Sequence, residues 1–240
     1  MSTLENFKKR LAYEGYKLTD SQIDRFQRYR ELIIEWNQRI DITAITDDRE
    51  IDEKHFIDSL SLTRYIPSSE KLKVVDIGTG GGFPGIPLKI VYDNLELCLV
   101  DSLNKRIEFL SQVVKALELE NVEPIHARAE DIFTKKEYRE AFDIAFSRAV
   151  APLPTLLEYC LPAVKVGGRF YAMKGPAAHE EIGLARPAFD ALGGKIVQVH
   201  EFSLTESNYQ RTIIEIEKIR RTPVRYPRGQ GKPRKDPLTL

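Results

Sequence analysis

The 240-residue chain reads as an α/β protein, a doubly wound and mostly parallel sheet behind a helical N-terminal extension. Three observations predict this. Short apolar runs alternate with helical patterns from Leu72 onward, which calls for right-handed βαβ crossovers. A glycine-crowded turn follows the first such run, in "VVDIGTGGGFPGIPL" from Val74 to Leu88. The last two apolar runs are joined by a few polar residues only, too few for a crossover helix, so they pair antiparallel.

The elements follow in order. "TDSQ", Thr19 to Gln22, fits a capping box in which hydroxyl and amide satisfy orphan backbone groups. Behind it Ile23, Phe26, Tyr29, Ile33, Trp36 and Ile40 recur at spacings of three and four, giving a helix with one apolar face. A shorter helix is expected over Glu50 to Leu60. Strands are expected at "KVVDI", "LELCLVD", "VEPIHA", "FDIAFS" and "GRFYAMK", with helices in "NKRIEFLSQVVKALEL" and "PLPTLLEYCLPAVK". "GKIVQVHEFSL" and "QRTIIEIEKI" form the closing antiparallel pair. Three parts result: a helical extension over 1–70, a ligand-binding α/β domain over 71–220, and a basic tail over 221–240.

Composition narrows the function classes. No run of 18 apolar residues is present to cross a bilayer, and the N-terminus lacks the apolar core of a signal peptide. A cytoplasmic protein with no membrane partner is expected. Cys98 and Cys160 lie in apolar contexts and read as reduced core residues. The formal net charge is zero, but eight basic residues from Lys218 onward face one acid, Asp236. Such a tail on an acidic body suits a polyanion, with a merely solvated terminus as the competing reading.

The glycine turn selects the ligand. A phosphate-cradling loop would end in Gly-Lys-Ser/Thr, which is absent here. Gly80-x-Gly82-x-x-Gly85 matches a dinucleotide fingerprint literally, yet Asp76 just ahead of the glycines would repel a pyrophosphate. Beside an ammonium and a sulfonium the same carboxylate is favourable. Gly78 and Gly80 bring backbone close to the ligand, and Asp101 ends the next strand, where a carboxylate accepts ribose hydroxyls. Ala129, Glu130 and Asp131 end the third strand, where they suit an adenine. The set points to S-adenosylmethionine, with a nicotinamide-dependent oxidoreductase as the rival.

Group-transfer chemistry should mark the end of the fourth strand, "FDIAFSRAVAPL". The Asn/Asp-Pro-Pro-Tyr/Phe stretch of amine methylation is missing, neither cysteine is placed as a nucleophile, and His55, His126, His179 and His200 are scattered without metal-ligand or triad spacing. No metal is expected. A ring nitrogen with a free lone pair, such as guanine N7, needs no base, so catalysis reduces to in-line positioning. Arg148 suits the cofactor carboxylate, guanine O6 or a phosphate. Lys174 and Arg211 fall on the same carboxyl edge of the sheet, where a basic rim favours nucleic acid. The three are positioning candidates, and no catalytic residue is assigned.

"WNQRIDITAIT", "KHFIDSL", "VVDIGTGGGFPGIPLKI", "LVDSLNKRIEFL", "HARAED", "FSRAVAPL", "GGRFYAMKG" and "RYPRGQGKPRKDPL" together resemble the ribosomal RNA small subunit methyltransferase G family, also called glucose-inhibited division protein B. The resemblance implies a class I, Rossmann-like, seven-stranded methyltransferase sheet whose last strand is antiparallel. It implies methylation of guanine N7 in bacterial 16S ribosomal RNA, at position 527 of the usual count, by a monomer acting on the RNA, the 30S subunit or an assembly intermediate. Cofactor contacts then fall at Gly78, Phe83, Asp101, Ala129, Glu130 and Arg148, besides Asp76 and Gly80. RNA contacts fall at Lys174, Arg211, Arg225, Arg228, Lys232, Arg234 and Lys235. His55, Asp58 and Ser59 match a family motif whose role is open between packing and chemistry. A non-catalytic RNA-binding protein with a vestigial pocket is the second rival.

Overall fold

The computed structural model describes residues 3–67, 69–204 and 209–239. Strands β1 (Lys73–Ile77), β2 (Glu96–Asp101), β3 (Val122–His126), β4 (Phe142–Arg148), β5 (Val164–Lys174), β6 (Gly194–Leu204) and β7 (Tyr209–Lys218) form a seven-stranded sheet in the order β3-β2-β1-β4-β5-β7-β6. β1 to β5 pair parallel, and β7 runs antiparallel to both β5 and β6. The polar link at 205–208 lies outside the described residues. Strand order reverses between β1 and β4, so the crevice at their carboxyl ends is where an open α/β sheet takes its ligand.

Helices α1 (Thr3–Tyr13), α2 (Asp20–Asn37), α3 (Asp48–Ile51) and α4 (Asp58–Leu60) precede the sheet. α5 (Gly85–Val91), α6 (Asn104–Ala116), α7 (Ala129–Ile132), α8 (Leu153–Cys160), α9 (Ala178–Leu184) and α10 (Arg186–Leu192) lie between strands, and α11 (Lys232–Lys235) lies in the tail. The capping box at α2 is present: Gln22 N donates to Thr19 Oγ1 at 3.2 Å, and Thr19 N donates to Gln22 Oε1 at 3.0 Å. The helix expected over Glu50 to Leu60 is longer and irregular. It starts behind Asp47, whose carboxylate accepts from Arg49 N and Glu50 N, and a π-helical turn over Asp52–Ile57 joins α3 to α4. A turn of this kind inserts an extra residue where function or packing demands it. Here it carries Asp52 and His55, both buried.

The extension has no core of its own. Phe7, Phe26, Phe56 and Tyr29 stack in succession at 5.0–5.6 Å, and Tyr29 continues onto Phe83 of the glycine turn at 5.6 Å. That cluster runs on without a break into Ile86, Phe109 and Leu110 beneath the sheet. Burying this aromatic layer supplies the hydrophobic gain that its few helical hydrogen bonds cannot. Arg30 of α2 and Asp52 form a buried fork at 2.6 and 2.8 Å. Burial nevertheless holds the Asp52 carboxyl up at about 6, with Arg30 opposing it.

Tyr29 also donates its hydroxyl to the Gly81 carbonyl. Gly82, with φ at 98°, sits directly under it: a Cβ there would lie 2.6 Å from the Tyr29 hydroxyl and 2.7–2.9 Å from Ile86 and Leu110. A side chain is therefore excluded twice, by φ and by space. Gly82→Ala should lower the unfolding free energy by about 2 kcal/mol or more. Urea denaturation checks it, and wild-type stability would show that the extension docks without the turn.

The tail is not a free arm. Lys218, first of its eight cations, is fully buried, donating to Thr222 Oγ1 at 2.6 Å and lying 3.4 Å from Glu140. Arg228 is engaged by the fully buried Glu158 of α8. Two of the cations counted toward polyanion binding are internal, because a buried carboxylate demands a partner.

Candidate active site

The turn after β1 is held by the next strand. Gly78 N and Thr79 N donate to the Val100 carbonyl at 2.8 and 3.1 Å, and Gly80 N donates to Asp101 Oδ2 at 2.9 Å. Asp101 Oδ1 accepts from Leu103 N at 2.9 Å, and Arg106 stands 3.6 Å from Oδ2. Asp101 thus builds the turn that starts α6 and still faces the cleft. Gly78, with φ at 70°, would place a Cβ 2.5 Å from Val150 Cγ2. Its lack of a side chain lets the end of β4 close over the end of β1. Ala149, at φ 56°, turns the chain out of β4 to bring Val150 there.

Asp76 lies beneath this turn, fully buried. Its Oδ2 accepts from Thr79 Oγ1 at 2.8 Å and Gly85 N at 2.9 Å, while Oδ1 has no partner among the described residues. Burial raises its carboxyl to about 6, against the two hydrogen bonds. An ionisable oxygen left orphaned in a core is costly unless a ligand completes it.

Two clefts open at this edge and share Val150 and Ala151 as a common wall. The first, about 410 Å³, is lined by Gly78, Asp101, Ala129, Glu130 and Tyr159, and by Arg234 and Lys235 from the tail. Its charged lining is mixed, two acids (Asp101 and Glu130) with three cations (Arg128, Arg234 and Lys235). Of the residues expected at the cofactor, Gly78, Asp101, Ala129 and Glu130 meet here. Asp76, Gly80 and Phe83 support the turn from below without lining the cleft.

The second cleft, about 590 Å³, is basic, with Lys54, Arg148, Lys174 and Arg211 on its walls. Asp58, 1% exposed, organises them: its Oδ2 accepts from Arg148 Nη1 and its Oδ1 from Arg211 Nε, both at 2.8 Å. Arg148 also donates to the Lys54 carbonyl at 2.8 Å and lies over the Phe83 ring at 5.0 Å. The aromatic ring of Phe83 is thus a platform for the guanidinium, stacked on His55 at 4.3 Å. Lys174 donates to the Ala151 carbonyl and pairs with Glu181, both at 2.6 Å. It fixes the loop between the clefts.

His55 has both ring nitrogens engaged. Arg148 Nη2 lies 3.0 Å from Nδ1 and Thr43 Oγ1 lies 2.7 Å from Nε2. Since arginine only donates, Nδ1 accepts and Nε2 carries the proton. Burial, reinforced by the Arg148 charge, pushes the ring down to about 3, so it stays neutral. His55 is a strut rather than a base.

The structure redistributes the expected roles. Arg148 stands in the second cleft, held by Asp58, rather than among the residues of the first. Lys174 and Arg211 do share its cleft, as the antiparallel β7 requires. The motif "KHFIDSL", flagged without a role, supplies the carboxylate that gathers the arginines. Neither thiol is activated: burial pushes Cys98 up to about 12 and raises Cys160 as well. Asp58→Ala leaves two guanidiniums without their anion and should cost about 3 kcal/mol of stability. Chemical denaturation reads this, and a loss below about 1 kcal/mol would show that the arginines hold themselves.

The chain matches known proteins along most of its length. The sequence profile of a family described as rRNA small subunit methyltransferase G matches residues 22–214. A protein named ribosomal RNA small subunit methyltransferase G from Acetivibrio thermocellus is 51% identical over 94% of this chain and 92% of its own. One of the same name from Brevibacillus brevis is 47% identical over 98% of this chain and 99% of its own. Among solved structures, M. jannaschii TYW2 in complex with AdoMet superposes with a TM-score of 0.52 at 18% identity, over 68% of this chain and 76% of that one. That likeness is one of fold. The long sequence matches say more: this chain belongs to the rRNA small subunit methyltransferase G family.

Proposed function

We propose that this protein transfers a methyl group from S-adenosylmethionine to N7 of a guanine in bacterial 16S ribosomal RNA, in the cytoplasm. The observation that carries the reading is the pair of clefts meeting at Val150 and Ala151, the first with Asp101 and Glu130 on its wall and the second with Arg148 and Arg211 gathered on Asp58. A cofactor in the first and a base in the second would meet at that wall.

The residues present fit S-adenosylmethionine. The orphaned Asp76 Oδ1 suits an ammonium donor. The Gly78 backbone, with no room for a Cβ, suits close approach, and Asp101 and Glu130 suit hydroxyl and amine donors of an adenosine. When bound, the cofactor supplies an electrophilic methyl group on sulfonium, which a nitrogen lone pair can take without losing a proton.

What the chain itself does is hold and orient. Asp58 fixes Arg148 and Arg211, and Lys54 and Arg211 flank Tyr209 at 5.3 and 4.7 Å. An aromatic ring between an ammonium and a guanidinium supports a flipped-out base by stacking, while the charges hold its phosphates. His55, its Nδ1 lone pair taken by Arg148 and its basicity lowered by burial, is a poor base, which agrees with an N7 acceptor that needs none. Guanidiniums that donate to O6 or a phosphate leave the N7 lone pair open.

The decisive experiment incubates the protein and methyl-labelled cofactor with naked 16S RNA and with 30S particles lacking the modification, then maps the label. Label on one guanine N7 is expected, and label in neither substrate would sink the reading. Arg211→Ala should leave cofactor affinity unchanged, weaken RNA binding, and lower the salt slope by about one. An unaltered slope would remove Arg211 from the RNA. Cofactor affinity should also depend on pH. An ammonium beside Asp76 favours the ionised carboxyl, so affinity should rise as pH climbs through about 6. It should then level off above 7. Calorimetry at several pH values checks this, and the same rise in Asp76→Asn would assign it elsewhere.

A further inference from the structure

The C-terminal residues, expected to reach for RNA, are fastened along α8 and return to the first cleft. After β7 the chain crosses the amino edge of β4, where Arg139 donates to the carbonyls of Thr222, Pro223 and Tyr226 at 2.8, 3.2 and 2.8 Å. Tyr226 is buried in the core beside α8.

Arg228 then closes a loop. Glu158 accepts from Arg228 N at 2.8 Å, from Nε at 2.9 Å and from Nη2 at 2.8 Å. The same guanidinium donates to the Asp236 carbonyl at 2.7 Å and carboxylate at 3.2 Å. One side chain therefore ties both ends of the segment 229–236 to a carboxylate with no solvent exposure. In the middle, Pro233 is buried and its carbonyl accepts from Thr155 Oγ1 at 2.9 Å. A buried fork with every acceptor used is expensive to break, so this segment is fixed in place.

It carries Gly231, Arg234 and Lys235 onto the wall of the first cleft, which Asp101, Ala129, Glu130 and Tyr159 also line. The Tyr159 phenol feels this neighbourhood: burial and Glu130 raise it, while Arg234 and Arg128 pull it down. Arg234 is thus close to the residues suited to an adenine. With Arg128, three cations line this cleft; they would oppose a sulfonium, but they sit well beside a neutral heteroaromatic ring, on which a guanidinium stacks.

We infer that the latched segment 229–236 is a structural wall of the cofactor site, with Arg234 and Lys235 contacting the adenosine end of the ligand rather than RNA phosphates. This rests on the reading of the first cleft as the S-adenosylmethionine site. It departs from the expectation that Arg234 and Lys235 contact RNA.

Calorimetry on the full-length protein tests it with two probes, S-adenosylhomocysteine and 5′-deoxy-5′-methylthioadenosine, the second lacking the amino-acid end. The double variant Arg234→Ala/Lys235→Ala should bind both about tenfold more weakly, the scale of one or two charge-assisted or stacking contacts. Its melting temperature and its RNA salt slope should stay at wild-type values. Arg228→Ala, which frees the segment, should reduce binding of both probes at least as much. If that variant fails to fold, the double variant, altered only at exposed side chains, still decides. Unchanged affinity in the double variant overturns the inference, as does a loss confined to RNA with the slope reduced by about two. Wild-type protein that binds neither probe overturns the cofactor reading itself, an outcome distinct from the other two.

Discussion

The arrangement depends on one buried carboxylate. Asp58 arrives from the N-terminal helices and pairs with Arg148 at the end of β4 and Arg211 at the start of β7. Those two strands are not neighbours, since β5 lies between them. Without an anion in the middle, two guanidiniums in a protein interior would repel each other and move toward water. With it, the helical extension becomes part of the site, and the second cleft has a fixed basic wall before any substrate arrives. Preorganisation of this sort lets positioning stand in for acid–base chemistry.

The glycine turn is built to the same standard from the other side. Tyr29 pins it from above, Asp101 and Asp76 hold it through backbone amides, and Phe83 leaves it to carry His55 and Arg148. The two clefts are thus mechanically joined. A change in the turn reaches Arg148 through Phe83, and a change in α2 reaches the turn through Tyr29. Among the described residues only Asp76 Oδ1 and Arg106 Nε are buried side-chain polar atoms without a partner, and both belong to groups that border the turn or the Asp101 it rests on.

The tail shows how composition misleads. Counted as charges, residues beyond Lys218 look like a solvated polycation. In place, Lys218 and Arg228 neutralise Glu140 and Glu158, and the segment between Arg228 and Asp236 is a wall. Glu158 offered a hint, since a carboxylate within the apolar "PLPTLLEYCLPAVK" must find a buried cation. Nothing in the sequence named which cation it would be.

The alternation of strands and helices, the capping box, the antiparallel ending and the glycine turn were legible because each is a local pattern or a consequence of connection length. Asp101 stands at the end of β2 as expected, whereas Ala129 and Glu130, expected to end the third strand, open α7 three residues after β3 stops at His126, and they line the same cleft as Asp101. The irregular helix at Asp52–Ile57 was not legible, since its π turn answers to packing rather than propensity. Neither was the meeting of Arg148 and Arg211 on Asp58, 90 and 153 residues away in the chain, nor the clasp of Arg228 on Glu158 across 70. A sequence by itself determines which segments can form and which edge they present. Which buried charges find each other is decided only when the sheet has closed, because desolvation makes a carboxylate choose its partner by proximity in space.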